Sequence, residues 1–197
     1  MLDGFGSNIN IAGRNPTLST GNGKSERITL AYSEILNGQD QGWLGGCDDC
    51  VIEYNYFKNN GWNPKRGGIF SHSIYVSGGT SSAPVKNIVV RGNTLLQTVD
   101  VPANPGGCEG VVIVGHGNQD GLLIEGNVIQ EAPGTAHQPC WGIAVNRGYS
   151  TPESFKNITI RNNQIEYVGN QVIVTETDCA NCLIENNSIL YNTSYGN

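Results

Sequence analysis

The stretch Gly126-Asn127-Val128-Ile129-Gln130, with Leu122 and Ile124 just ahead of it, decides how this chain folds, because its frame recurs down the sequence. Counted outward from the asparagine, the pattern is apolar, apolar, Asn, apolar: Leu122, Ile124, Asn127, Ile129. The same frame reads Cys50, Ile52, Asn55, Phe57, then Ile88, Val90, Asn93, Leu95, then Ile158, Ile160, Asn163, Ile165, and last Cys182, Ile184, Asn187, Ile189. A weaker copy is Ile28, Leu30, Ser33, Ile35. Two alternating apolar positions make a half-buried strand, a break containing Asn makes a turn, and an apolar residue two places on restarts a strand. Asn is expected to take the left-handed conformation that such a turn needs.

The anchor positions 33, 55, 93, 127, 163 and 187 lie 22, 38, 34, 36 and 24 residues apart. Uneven periods of this kind suit a coil whose strands are fixed while its loops vary. A second apolar piece sits between successive frames: Ile74-Tyr75-Val76, Val111-Val112-Ile113, Ile143-Ala144-Val145 and Val172-Ile173-Val174. Three strands per repeat with no helical crossover predict an all-β, right-handed, single-stranded parallel β-helix of about five to six rungs. Residues 1–27 read as an irregular N-terminal rung or edge segment, with an early strand near Asn8 to Ile11, and residues 28–197 as the coil. Neither end of the sequence reads as a cap, which points to a fragment of a larger solenoid or to an assembling subunit.

The outward positions check the register. Two residues before each anchor stand Glu53, Arg91, Glu125, Arg161 and Glu185, alternating in sign, so stacking places each beside its opposite. Two residues earlier again come Val51, Val89, Leu123, Thr159 and Leu183. An apolar stripe on an outer face needs a cover: the N-terminal segment, a loop or a second subunit. A homo-oligomer through Val51, Val89, Leu123 and Leu183, or through the coil ends, is therefore one expectation.

Composition excludes more than it selects. Only 14% of the 197 residues are charged, the net charge is −6, and the 11 Lys and Arg are scattered, so no nucleic-acid partner is expected. No apolar run is long enough to span a bilayer, and the N-terminus lacks the basic and apolar parts of a signal peptide. Six cysteines suggest an oxidising compartment, hence a secreted or periplasmic protein. Cys47/Cys50 and Cys179/Cys182 fall on equivalent turns four repeats apart, about 19 Å, too far for one zinc ion. Each pair closes its own turn as a disulfide or stays as two buried thiols, while Cys108 and Cys140, in matching places on adjacent rungs, are expected to bridge.

With the repeat in place, residues 28 to 191 resemble the pectin-lyase-like right-handed parallel β-helix superfamily, including proteins defined only by their β-helix repeats. The anchor frames and the phrase His72-Ser-Ile-Tyr-Val-Ser77 carry that resemblance. It implies a scaffold shared by lyases, hydrolases, epimerases, tailspikes and adhesins. Asp48-Asp49-Cys50 and Gly115-His116-Gly117 match short motifs of polygalacturonases, where paired carboxylates serve inverting hydrolysis. Their order on the coil disagrees with that family, and its NTD and RIK strings are absent, so both matches are set aside as coincidence. Gly115-His-Gly-Asn118 also looks like a segment of the alginate and chondroitin lyases related to chondroitinase B, with Gly115 where that family has Arg.

A lyase needs a base for the proton beside the uronate carboxylate and a cation for the enolate. The three longest connections, Lys58 to Ser73, Leu96 to Gly110 and Gln130 to Gly142, all lead into the Ile74, Val111 and Ile143 strands and would wall a groove along that row. His72, Lys65, Arg66 and Arg147 are the candidate catalytic residues there, and Trp62, Tyr75, Glu109, His137, Trp141, Asn146 and Glu176 the candidate substrate contacts. Arg147 and Glu176 occupy equivalent places on adjacent rungs, so they also read as an ion pair. No cofactor is required by these residues, although a calcium ion is compatible with a lyase. The expectation is an extracellular protein that acts on or binds polysaccharide, lyase before hydrolase; the alternative is a noncatalytic structural, adhesin or tailspike-like module.

Overall fold

A computed structural model describes residues 2–3, 9–11, 26–38, 41–60, 72–79, 83–97, 111–131, 141–149, 152–168, 171–176 and 178–190. Its strands form three parallel sheets of seven, six and six strands that wind as a right-handed β-helix. The anchor-frame sheet holds β3 (Thr29–Ala31), β6 (Val51–Glu53), β9 (Val85–Arg91), β12 (Gln119–Glu125), β15 (Phe155–Arg161) and β18 (Leu183–Glu185). The sheet after the anchor holds β1 (Leu2–Asp3), β4 (Glu34–Leu36), β7 (Tyr56–Lys58), β10 (Thr94–Gln97), β13 (Val128–Glu131), β16 (Gln164–Glu166) and β19 (Ser188–Leu190). The third sheet holds β2 (Ile9–Ile11), β5 (Trp43–Gly45), β8 (Ile74–Ser77), β11 (Val111–His116), β14 (Trp141–Val145) and β17 (Ile173–Thr175). The N-terminal strands β1 and β2 pair in parallel with β4 and β5, and the second sheet has one strand more than the other two because β1 and β19 both belong to it.

The core follows from the frame. Side chains alternate across each strand, so every second residue enters the coil and meets its equivalent one rung away, about 4.8 Å distant. Ile52, Val90, Ile124 and Ile160 form one such column, Ile35, Phe57, Leu95, Ile129 and Ile165 a second, and Trp43, Ile74, Ile113 and Ile143 a third, all essentially fully buried. On the last rung the corresponding Ile184 and Ile189 are 49% and 48% exposed.

The anchor asparagines form a continuous ladder inside the coil. Each Oδ1 accepts from the backbone N–H of the anchor one rung earlier: Asn55 from Ser33, Asn93 from Asn55, Asn127 from Asn93, Asn163 from Asn127 and Asn187 from Asn163, all at 3.0 Å. The side-chain amides donate in turn to strand carbonyls of the previous rung, Asn127 Nδ2 to Val90 O at 3.0 Å among them. One expectation is corrected. The left-handed residue of each turn is the one before the anchor: Tyr32, Tyr54, Gly92, Gly126, Asn162 and Asn186. The anchor is needed for its amide group and not for tolerance of positive φ.

The outward columns stack in the expected register. Arg91 pairs with Glu53 and Arg161 with Glu125, each at 2.7 Å. Val51, Val89, Leu123, Thr159 and Leu183 lie side by side, and Val89, Leu123 and Thr159 help to line a shallow groove of about 250 Å³. Cys47 pairs with Cys50 and Cys179 with Cys182, with Cα separations of 5.5 and 5.7 Å, so each CxxC closes its own turn. The first pair is fully buried, while the second sits half-buried on the last rung. Cys108 and Cys140 lie outside the described residues. Among the described residues no helix is long and apolar enough to cross a membrane.

Candidate functional site

The described chemistry of the third sheet gathers at the exit ends of β8, β11 and β14. Register places Ser77 beside His116, and Asn146 follows directly after Val145, the partner of Gly115. Alternation turns Tyr75, Ser77, His116 and Asn146 to the outer face, because Ile74, Val76, Ile113 and Val145 fill the core. Outward Val114 and Ala144 are only 0% and 3% exposed, so this part of the outer face is covered.

Four rings meet there edge to face. His72 packs on Tyr75 with centroids 5.4 Å apart, Tyr75 on His116 at 5.6 Å, and His116 on Tyr149 at 6.0 Å. The Tyr75 and Tyr149 hydroxyls are hydrogen-bonded at 2.5 Å, and Ser77 Oγ lies 3.4 Å from the latter. Burial above all, then the bond to Tyr149 and the nearby negative charge of Glu153, push the Tyr75 phenol well above its ordinary value, so it stays protonated.

His116 is held in one orientation. Its Nδ1 lies 2.6 Å from Asn146 O; a carbonyl only accepts, so Nδ1 carries the proton and Nε2 keeps a lone pair in the neutral ring. Gly148 covers the ring: a β-carbon there would come within 2.6 Å of Nε2. The turn that delivers Gly148 and Tyr149 is fixed by Glu153, which is 6% exposed. Its Oε1 accepts from the Gly148 and Tyr149 amides at 2.9 and 2.5 Å, and its Oε2 from the Gly117 amide at 2.5 Å. With both oxygens engaged by backbone, Glu153 positions the cluster and is not itself a candidate acid or base.

Some sequence-predicted residues join this cluster and others do not. His72, Tyr75 and Asn146 belong to it, His72 as a buried ring behind Tyr75 and Asn146 through its carbonyl. Arg147 is paired outward with Asp178 at 2.7 Å and with Glu176 at 3.7 Å, and its amide donates to Glu176 at 2.8 Å. Trp141 is half-buried and donates to Gln171 Oε1 at 3.3 Å. Lys65, Arg66, Trp62, Glu109 and His137 lie outside the described residues, as does most of each long connection. His116, Tyr149 and Glu153 were not among the candidates. The Gly-His-Gly string was a usable signal for His116; nothing local marks Tyr149 or Glu153, which reach the site only through the turn after β14.

The Asp48-Asp49 pair stays apart in role from this cluster. Asp48 Oδ1 accepts from the Lys86 amide at 2.9 Å and Asp49 Oδ1 from Asn87 Nδ2 at 3.0 Å, so both carboxylates tie one rung to the next. Among the described residues no three His, Cys, Asp or Glu come together as a cation site. No protein-family profile, curated protein or solved structure matches this chain.

Proposed function

We propose that this is a secreted or periplasmic β-helix protein of the pectin-lyase-like type that acts on polysaccharide at the recess formed by Tyr75, His116 and Tyr149, by β-elimination rather than hydrolysis. The observation that carries the reading is the pairing of an imidazole, oriented by the bond from its Nδ1 to Asn146 O, with a hydrogen-bonded phenol on one outer strand row. In such a reaction His116 Nε2 takes the proton beside the uronate carboxylate, the glycosidic C–O bond breaks as the ring double bond forms, and Tyr149 protonates the departing oxygen. The Nδ1–H bond to Asn146 O steadies the imidazolium, and the Tyr75 hydroxyl, which keeps its proton, donates a hydrogen bond at 2.5 Å to the Tyr149 oxygen and so stabilises the phenolate left there.

Hydrolysis needs two carboxyl groups facing one glycosidic bond. The described cluster contributes only Glu153, and that is consumed by backbone amides. Of the cations expected from the sequence to serve an enolate, Arg147 is engaged with Asp178 and Glu176, and Lys65 and Arg66 lie outside the described residues. The disulfides favour an oxidising compartment.

Incubation with a panel of acidic and neutral polysaccharides tests the reading, with ultraviolet absorbance reporting unsaturated ends and a reducing-end assay reporting hydrolysis. Unsaturated product from an acidic polymer is expected. Reducing ends without unsaturation would replace the lyase by a hydrolase, and glycan binding without turnover would favour a noncatalytic module.

A further inference from the structure

Each rung turns from the anchor-frame sheet into the next through a single left-handed residue, and the six residues there are Tyr32, Tyr54, Gly92, Gly126, Asn162 and Asn186, with φ of 51°, 53°, 61°, 63°, 55° and 53°. Gly and Asn take this conformation readily; a bulky aromatic residue does so against its steric preference. The backbone geometry is set by the coil, since the Tyr32 and Tyr54 amides donate to Glu53 O and Arg91 O as their equivalents do on later rungs. Tyrosine at two of these places is thus a side-chain choice that the fold does not require.

Packing gives little in return. The two rings stack with centroids 5.5 Å apart and planes 17° from parallel, and Tyr54 rests on Gly92, where a β-carbon would lie 2.6 Å from its ring carbons. Among the described residues the stack therefore begins on glycine and ends at Tyr32, which is 80% exposed, with Tyr54 at 49%. Tyr167, left-handed at another corner, is by contrast half-buried. A strained backbone that displays aromatic faces to water, without a core contact to offset it, marks a surface kept for contact.

We propose that Tyr32 and Tyr54 form a stacking platform for a neutral glycan, separate from the His116 recess. The apolar face of a hexopyranose ring suits the open face of Tyr32 as the next layer of the stack. Charge selects against anionic partners: exposed Glu34 lies close by in the chain, Glu53 borders the corner, and Arg91 is already bonded to Glu53 at 2.7 Å. A phosphate or uronate meets no free cation among the described residues of this corner.

Calorimetric titration with cellohexaose, and with hexagalacturonate as the anionic counterpart, tests the platform. Each is run on the wild type and on a His116→Ala/Tyr149→Ala background, so that failure of the recess and failure of the platform are distinguishable. Cellohexaose binding is expected in both, weakened about tenfold or more by Tyr32→Ala and retained within about twofold by Tyr32→Phe. Tyr32→Gly is expected to lose binding while raising the melting temperature, because it relieves the left-handed tyrosine. In the double-variant background, no cellohexaose binding, cellohexaose binding indifferent to Tyr32→Ala, or hexagalacturonate binding of equal affinity that Tyr32→Ala also weakens would each overturn the proposal.

Discussion

Asn127 Oδ1 accepts two hydrogen bonds from Asn93, one from its backbone N–H and one from its Nδ2–H, both at 3.0 Å and both buried. Replacing Asn127 by Ala orphans both donors and also removes the bond to Val90 O. Each buried group left unsatisfied costs about 1–3 kcal/mol, so Asn127→Ala is expected to destabilise the coil by about 2–4 kcal/mol in urea unfolding. Asn187→Ala, at the half-buried end of the ladder, should cost about half of that. Equal and small effects at the two positions would mean that the ladder contributes little.

Glu153 holds the turn that brings Tyr149 against Tyr75. A glutamine in its place presents an N–H to at least one backbone N–H and loses the charge. Glu153→Gln is expected to cost about 2 kcal/mol and to shift the amide resonances of Gly117, Gly148 and Tyr149 together. Shifts confined to residues adjacent in sequence would contradict the tie between the two turns.

Glu131 closes β13 with no exposed surface, and burial raises its carboxyl well above the ordinary value. A folded pKa above the unfolded one contributes stability below the unfolded value of about 4.5, and that contribution is lost as pH rises. Glu131→Gln is therefore expected to raise the melting temperature at neutral pH, with the gain shrinking as pH falls into the ordinary carboxylate range. A variant that melts lower than wild type at every pH would refute this.

The Tyr75 phenol gives the same sign at the other end of the scale. Its folded pKa is raised, so its contribution is present below the ordinary value of 10.0 and is lost above it as the unfolded chain ionises. Wild-type stability should fall more steeply above about pH 10 than that of Tyr75→Phe, which at neutral pH lacks only the Tyr149 bond, worth about 1 kcal/mol. Parallel slopes would place the phenol in water instead.

The fold was legible because the coil repeats its own grammar. Leu122, Ile124, Asn127 and Ile129 are spaced by strand alternation and by one turn, and the alternating Glu53, Arg91, Glu125 and Arg161 fixed the register independently. The turn conformation was misplaced by one residue, since Asn at the anchor fits both a left-handed turn and an amide ladder, and only the hydrogen bonds separate them. The site was half legible. Tyr75 and Asn146 follow from outward alternation on the predicted row, and the pairing of Arg147 with Glu176 from their equivalent places. The Gly-His-Gly string marks His116 without disclosing its contacts with Asn146 O, Gly148 and Tyr149. Those contacts depend on a turn held by Glu153, a long-range tie that no local pattern encodes.

The most direct measurement is the rate of unsaturated-product formation from an acidic polysaccharide by the wild type, His116→Ala and Tyr149→Phe, with melting curves alongside. The account predicts turnover by the wild type and a loss of about 100-fold or more in each variant at unchanged melting temperature. Wild-type turnover that both variants retain within about twofold, or a wild type that cleaves no acidic polysaccharide, would contradict it.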